Sequence, residues 1–360
     1  MVSVIVPARN EEVCLGACLQ SLVVQTGVSW EIIVVDDGST DRTREIAQSF
    51  PGVRVISAPP LPPGWVGKNN AVSAGAAKAR GEWILFTDAD TVHRPGSLAR
   101  SVAEAQKRGV ALLSYSPEQV VGTFWEKAVM PVVFAELAST YRPSEVSDPI
   151  SSAAAANGQY ILISREAYEA VGGYASIATN LLEDVALARA VKSSGRKIFF
   201  RFGGDAVRTR MYRNWTQLRE GWTKNLTLLF PSLMRLAVFR ATEFLLMIGG
   251  IVFAITSGLR GDRSLSLLTA ALTLGLCSVF LKRIHRAHFP WLATVLSIIG
   301  LPVFSYLLLC SKRLYRKGGV TWKGRTYQPG SVWHYSSEEQ GTVEQMSQPA
   351  VLEQQKKTGT

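Results

Sequence analysis

Two hydrophobic rhythms divide the chain. Up to about residue 202, short apolar runs alternate with amphipathic stretches. Val2–Val6, Glu31–Val35, Val53–Ser57, Trp83–Thr87, Val110–Tyr115, Gln159–Ser164 and Lys197–Phe202 read as strands. Glu11–Gln25, Thr40–Ser49, Gly67–Ala79, Pro95–Arg108, Arg165–Val171 and Glu183–Lys192 read as helices. Continuous apolar strands alternating with helices predict an α/β fold: an open, mostly parallel sheet covered on both faces. Val120–Tyr141 is oily but interrupted by Glu126, Lys127 and Pro131, which fits a core helix or an interfacial one.

After residue 210 the rhythm changes. Trp215, Leu218, Trp222, Leu226 and Leu229 recur every three or four positions, with Arg213, Glu220 and Lys224 opposite, which predicts an amphipathic helix lying in a membrane interface. Three apolar runs follow, Phe244–Leu259, Leu265–Leu281 and Phe289–Cys310; the first two are short for a span of about 30 Å, the third long enough. Gly300 and Pro302 are expected to break the third run into a re-entrant segment that returns the tail to the side of the first half. This division gives four segments: 1–210 catalytic, 211–240 interfacial, 241–311 with two to three membrane helices, and 312–360 a basic juxtamembrane stretch and a polar, disordered tail.

Charge sharpens the division. The chain has 360 residues, a net charge of +11 and 47% hydrophobic residues. The basic residues gather around the apolar runs, at Arg208–Arg240, Lys282–Arg286 and Lys312–Arg325, which suits anionic headgroups and the positive-inside bias rather than nucleic acid. No nucleic-acid-binding motif is present and no protein partner can be inferred. The four cysteines lack metal-ligand spacing and read as reduced thiols. The N-terminus begins as a strand, without the pattern of a secretory signal.

The acidic residues fall where such a sheet binds ligands, beyond the C-terminal ends of its strands. Asp88-Ala89-Asp90 follows Trp83–Thr87; carboxylates at i and i+2 of an extended segment face one way and can hold Mg²⁺ or Mn²⁺ with substrate phosphates. Asp36-Asp37-Gly38-Ser39-Thr40 ends the second strand, where it can cap a helix, bind a nucleoside, or both, and Pro7-Ala8-Arg9-Asn10-Glu11 lines the same crevice. His93 fits an ordinary loop histidine better than a metal ligand.

These segments, with Gly172-Gly173-Tyr174 and Glu183-Asp184, occur in an order that resembles glycosyltransferase family 2, inverting enzymes with the GT-A nucleotide-sugar fold. The resemblance covers roughly the first 225 residues. Pro62-Pro63-Gly64-Trp65-Val66-Gly67-Lys68-Asn69, with membrane runs only at the C-terminal end, is similar to the hopanoid-associated and carotenoid glucosyltransferase branch. The resemblance implies that Pro7, Ala8, Glu11 and Asp36 or Asp37 contact the nucleoside and that Lys68 reaches the nucleotide. It implies that Asp88 lies near ribose and metal, that Asp90 binds the metal, and that Asp184 is the general base. The implied reaction is metal-dependent transfer of a hexose, from a UDP-sugar by preference, to a hydroxyl of a lipid acceptor by a multi-pass membrane protein with a cytoplasmic catalytic domain. A polyprenyl-phosphate acceptor, a non-catalytic nucleotide-binding scaffold and a soluble nucleotidyltransferase are the alternatives. Gln217-Leu218-Arg219-Glu220-Gly221-Trp222 departs from the Gln-x-x-Arg-Trp element of processive synthases, so a single transfer is expected. Trp322–Tyr327 reads as a juxtamembrane anchor, with a return toward the active site as the other reading.

Overall fold

The computed structural model describes residues 1–317, 320–322 and 325–327. Its strands are β1 (Val2–Ala8), β2 (Trp30–Asp36), β3 (Val53–Ser57), β4 (Trp83–Phe86), β5 (Thr91–His93), β6 (Leu112–Ser116), β7 (Glu118–Gln119), β8 (Ile161–Ser164), β9 (Ile198–Phe202) and β10 (Val207–Thr209). The helices of this half are α1 (Leu15–Val23), α2 (Thr43–Gln48), α3 (Gly67–Ala76), α4 (Ser97–Arg108), α5 (Phe124–Thr140), α6 (Pro143–Ser147), α7 (Arg165–Ala170) and α8 (Glu183–Ser193). Then come α9 (Trp215–Leu229), α10 (Leu233–Leu259), α11 (Arg263–His285) and α12 (Trp291–Arg316), and the two-stranded ribbon β11 (Val320–Trp322) and β12 (Arg325–Tyr327).

Seven strands form the main sheet in the order β3-β2-β1-β4-β8-β6-β9. β1 to β4 run parallel, β8 is antiparallel to both its neighbours, and β9 is parallel to β6. Alternate residues of each strand face opposite layers. Ile5, Ile33, Val35, Ile84 and Phe86 pack under α3, α7 and α8, and Val4, Val6, Ile32, Val34 and Leu85 pack under α1, α2 and α4. Each such side chain, fully removed from water, contributes about 1.5–3 kcal/mol. Because β8 is reversed, its start lies at the C-terminal end of β4, so the segment before it enters the crevice where β1, β2 and β4 end.

A third core joins the two halves. Met130, Val132 and Val133 of α5, Leu218, Trp222 and Leu226 of α9, and Leu301, Phe304 and Leu308 of α12 are buried together. α9 is the segment expected in a membrane interface. Its apolar stripe packs on protein, with Trp222 Nε1 3.4 Å from Met130 Sδ and the Trp222 ring edge-on to Phe134 at 6.0 Å. α5 is likewise a core helix, its N-terminus closed by Thr123 and Glu126 in a capping box.

α10, α11 and α12 are each long and apolar enough to cross a membrane, but they are used differently. α10 and α11 form an antiparallel pair studded with exposed Leu, Ile, Val and Phe. Arg240, Glu243, Arg283 and Glu136 of α5 make a balanced ionic cluster at its base, with Arg240–Glu136 at 3.0 Å and Arg283–Glu243 at 2.9 Å. α12 is half buried, with Gly300 closely apposed to the Ala128 carbonyl of α5; a Cβ there would collide with it. The expected break at Gly300 and Pro302 does not occur: α12 is continuous, and its glycine serves close approach. The loop before α12 meets the catalytic half and its C-terminal end meets α9: His288 stacks on Phe202 of β9 at 4.0 Å, and the Tyr315 hydroxyl donates to the Lys224 carbonyl at 2.8 Å. The expected segment boundaries at 240/241 and 311/312 fall inside α10 and α12.

Candidate active site

Three strand ends frame the crevice. At the first, Asn10 adopts a left-handed conformation (φ 55°) and ties the ends of β1 and β2 together: the Thr40 N–H donates to its Oδ1 at 2.9 Å, and its own N–H donates to Ser39 Oγ at 3.1 Å. Pro7 is half-buried and Ala8 buried in this wall, and the Glu11 N–H donates to Thr43 Oγ1 at 2.7 Å.

Asp36 and Asp37 then separate. Asp36 accepts from the Ser39 N–H at 3.0 Å and lies 3.3 Å from Arg44 Nη1, so it shapes the turn. The Asp37 carboxylate faces the crevice, where Arg325 approaches it with both guanidinium nitrogens, at 2.5 and 3.0 Å. The basic stretch at 322–327, expected as an anchor, thus brings one described side chain, Arg325, into the site; Lys323 and Gly324 lie outside the described residues.

At the third end, Lys68 joins the pieces. It opens α3 and lies 2.7 Å from Asp88 Oδ1 and 2.7 Å from Glu183 Oε1. These two carboxylates hold its pKa well above that of an ordinary lysine despite its burial. Its neighbour Asn69 is fully buried and donates to the carbonyls of Ile177, Ala178 and Asn180 at 3.0–3.1 Å, pinning the loop that leads to α8. That loop delivers Asp184. Asp184 Oδ2 accepts from the Gly158 N–H at 3.0 Å, and Oδ1 accepts from the Val185 N–H at 2.8 Å. Burial, reinforced by the Glu183 charge and opposed by Lys68 and the two N–H groups, pushes the Asp184 carboxyl up to about 6. A Cβ on Gly158 would stand 3.1 Å from Lys68 Nζ, 3.3 Å from Glu183 Oε1 and 3.6 Å from Asp184 Oδ2, which makes this glycine the meeting point of the three charges.

Lys68 therefore connects Asp88 to the Glu183–Asp184 pair, and Gly67 connects Lys68 to Asp37, since a Cβ on Gly67 would lie 3.1 Å from Asp37 Oδ2. Asp90 is tied to β10, its carbonyl accepting from Thr209 Oγ1 at 3.2 Å. Among the described residues no group of three Asp, Glu, His or Cys side chains makes a ready metal site. Two carboxylates at one strand end are nevertheless a hard-oxygen donor set that fits Mg²⁺ or Mn²⁺ when diphosphate oxygens complete the shell. His93 does not join them. It is buried on β5, with Nε2 3.1 Å from Thr87 Oγ1 and 3.3 Å from Thr91 Oγ1, and burial lowers its pKa to about 3, leaving it neutral.

Gly158, Asn69, Glu183, Arg325 and Lys224 are additions that the sequence reading did not place in the site. Lys224, on α9, has its pKa lowered to about 8 by burial, with Glu183 opposing and Lys68 reinforcing that shift. Glu183 and Asn69 stand beside residues the sequence singles out, and Arg325 lies in a stretch for which a return to the site was one reading; Gly158 acts through its backbone and Lys224 comes from a remote helix.

Comparison with known proteins agrees with this architecture. The family model described as Glycosyl transferase family 2 matches residues 3–172. A 4,4'-diaponeurosporenoate glycosyltransferase of Staphylococcus aureus (strain USA300) is 30% identical over 341 residues, 90% of this chain and 88% of that protein. A solved mannosyltransferase of Pyrobaculum calidifontis, in complex with GDP-Man and Mn²⁺, shares the fold, with a TM-score of 0.50 at 17% identity over 87% of this chain and 86% of that one.

Proposed function

The chain belongs to glycosyl transferase family 2, and from that premise we propose that it transfers a hexose from a nucleoside-diphosphate sugar, UDP-linked by preference, to a hydroxyl of a membrane lipid with inversion at the anomeric carbon. The observation that carries this reading is the Lys68 bridge, which sets Asp88, on the donor side, within one ammonium of the Glu183–Asp184 pair.

In this reading Asp37 accepts from the base or ribose, beside the wall of Pro7, Ala8 and Glu11, while Asp36 supports it from the turn. Asp90, with Asp88, would hold Mg²⁺ or Mn²⁺, which when bound supplies positive charge to the departing diphosphate. Lys68 adds a fixed cation at the same place. Asp184 takes the proton of the acceptor hydroxyl as its oxygen attacks the anomeric carbon and the sugar–diphosphate bond breaks. The N–H groups of Gly158 and Val185 hold its carboxylate toward that task. No enzyme nucleophile is needed.

The membrane arrangement supports a lipid acceptor. Arg240 to Arg260 and Arg263 to Arg283 are each 20 residues apart, about 30 Å of helix, one hydrocarbon thickness. α10 and α11 would therefore cross as one hairpin with its charged turn, Arg260–Arg263, at the far surface. α12 would not cross, because the loop before it touches β9 and its C-terminal end touches α9. Lys282, Arg283, Arg286, Lys312, Arg313, Arg316 and Lys317 then lie on the catalytic side, which by the positive-inside bias is cytoplasmic.

A second reading keeps this machinery but changes the acceptor atom. The acceptor named for the Staphylococcus relative is a carboxylate; a carboxylate acceptor carries no proton at neutral pH and would leave Asp184 an orienting role. A donor screen tests both. UDP-glucose and GDP-mannose are supplied with Mn²⁺ to the membrane-embedded protein, with hydroxylated lipids, lipid carboxylates or polyprenyl phosphates, and nucleoside diphosphate release is measured. Release with the hydroxylated lipid is expected; release with none of them overturns the proposal.

A further inference from the structure

Asp37, on which the proposed reading places the nucleoside, is engaged here by a residue from beyond the membrane helices. Arg325 Nη1 lies 2.5 Å from Oδ2 and Nη2 3.0 Å from Oδ1, a two-pronged fork across 288 residues of sequence. β12, which Arg325 opens, is paired antiparallel with β11. The guanidinium lies over the Cα of Gly67, where any Cβ would strike it. The next residue is Lys68, whose ammonium spans Asp88 and Glu183. Arg325 is thus placed between the carboxylate at the nucleoside end and the lysine at the diphosphate end. Arg325 keeps 24% of its side-chain surface in water whereas Asp37 is buried, 10% exposed, so the carboxylate needs new donors whenever the guanidinium leaves it.

We propose that Arg325 is a donor-binding residue that changes partner on occupancy. Before a donor binds, its fork holds Asp37. When a nucleoside diphosphate enters, Asp37 accepts from the base or ribose, and the guanidinium turns to the diphosphate, an anion it fits equally well with the same two-pronged geometry. Neither group is then left uncompensated. Asp37 exchanges a cation for neutral donors as Arg325 takes on the incoming negative charge. The residue that completes the donor site therefore comes from the segment after α12, so the donor end of the crevice is finished only when the membrane part of the chain has folded back. This inference rests on the nucleotide-sugar reading above.

The test compares nucleotides with nucleosides on the full chain in lipid nanodiscs. Binding of UDP, uridine, GDP and guanosine is measured by calorimetry with Mn²⁺ present, for the parent chain, Arg325→Ala and Arg325→Lys. Arg325→Ala is expected to weaken binding of the diphosphate that the parent chain takes by about tenfold. It is expected to leave the matching nucleoside unchanged or slightly tighter, because the competitor for Asp37 is gone, and Arg325→Lys is expected to recover part of the diphosphate loss. Equal diphosphate affinity in the parent and Arg325→Ala overturns the exchange, as does an equal loss for nucleoside and diphosphate, which a merely structural role would give. A parent chain that binds neither UDP nor GDP overturns the nucleotide-sugar reading as well, and is told apart because no substitution is needed to see it.

Discussion

Two acidic pairs, Asp36-Asp37 and Glu183-Asp184, stand at opposite ends of the crevice and are built alike but tuned differently. In each pair one carboxylate is drawn into the scaffold and the other, on the proposed reading, acts on substrate. Asp36 serves Ser39 and Arg44, and Glu183 serves Lys68. The remaining member differs. Asp37 faces a guanidinium that is partly in water. Asp184 is half-buried, next to a like charge, and its carboxyl is raised to about 6. A carboxylate that must accept a proton gains from surroundings that disfavour its charge.

That contrast can be broken at four points. The largest effect is expected from Asp184→Asn, which should lower turnover about 10³-fold while nucleoside diphosphate binding stays near normal; a change in binding with turnover intact would reverse the two ends. Asp37→Asn should act on the donor instead, raising its KM about tenfold with kcat largely preserved, as measured by initial rates over a donor series. The parent chain's turnover should fall with decreasing pH through about 6, because Asp184 must be unprotonated to act. Glu183→Gln should carry that limb to lower pH, since it removes the like charge that helps raise Asp184. The smallest effect belongs to Asp36→Asn, a loss of about 1 kcal/mol of stability seen by thermal or denaturant unfolding, with donor KM little changed.

Much of the catalytic half is legible in the chain. Buried parallel strands are nearly all apolar, so Val2–Val6 and Trp83–Thr87 declare themselves, and acids directly after them have few other places to go. Asp88 could be singled out on that ground together with the family pattern, and Asp184, in the first turn of α8, by the family pattern alone. Gly158 could not, because its contribution is a backbone N–H and a missing side chain, neither of which leaves a periodic signal. Asn69 was hidden for a related reason: its three carbonyl partners lie over 100 residues away in sequence. Apolar periodicity shows that a helix has a face to cover but is silent on the cover. The stripe of α9 is the same whether it meets lipid or, as here, α5 and α12. Composition likewise groups α10, α11 and α12 together, while packing separates an exposed pair from a helix laid along the domain. In α12, Pro302 and Gly300 looked like a break; the glycine is there because the Ala128 carbonyl leaves no room for a side chain.

The way α12 lies on α5 and α9 bears on any attempt to prepare a water-soluble version of this enzyme. A chain shortened to end before Leu233 would keep every residue of the parallel sheet, yet it would bare the side chains of Met130, Trp222 and Leu226 to solvent and lose Arg325. Such a fragment is expected to clump and to hold its sugar donor poorly. Here the part that looks like a detachable anchor is one wall of the workshop.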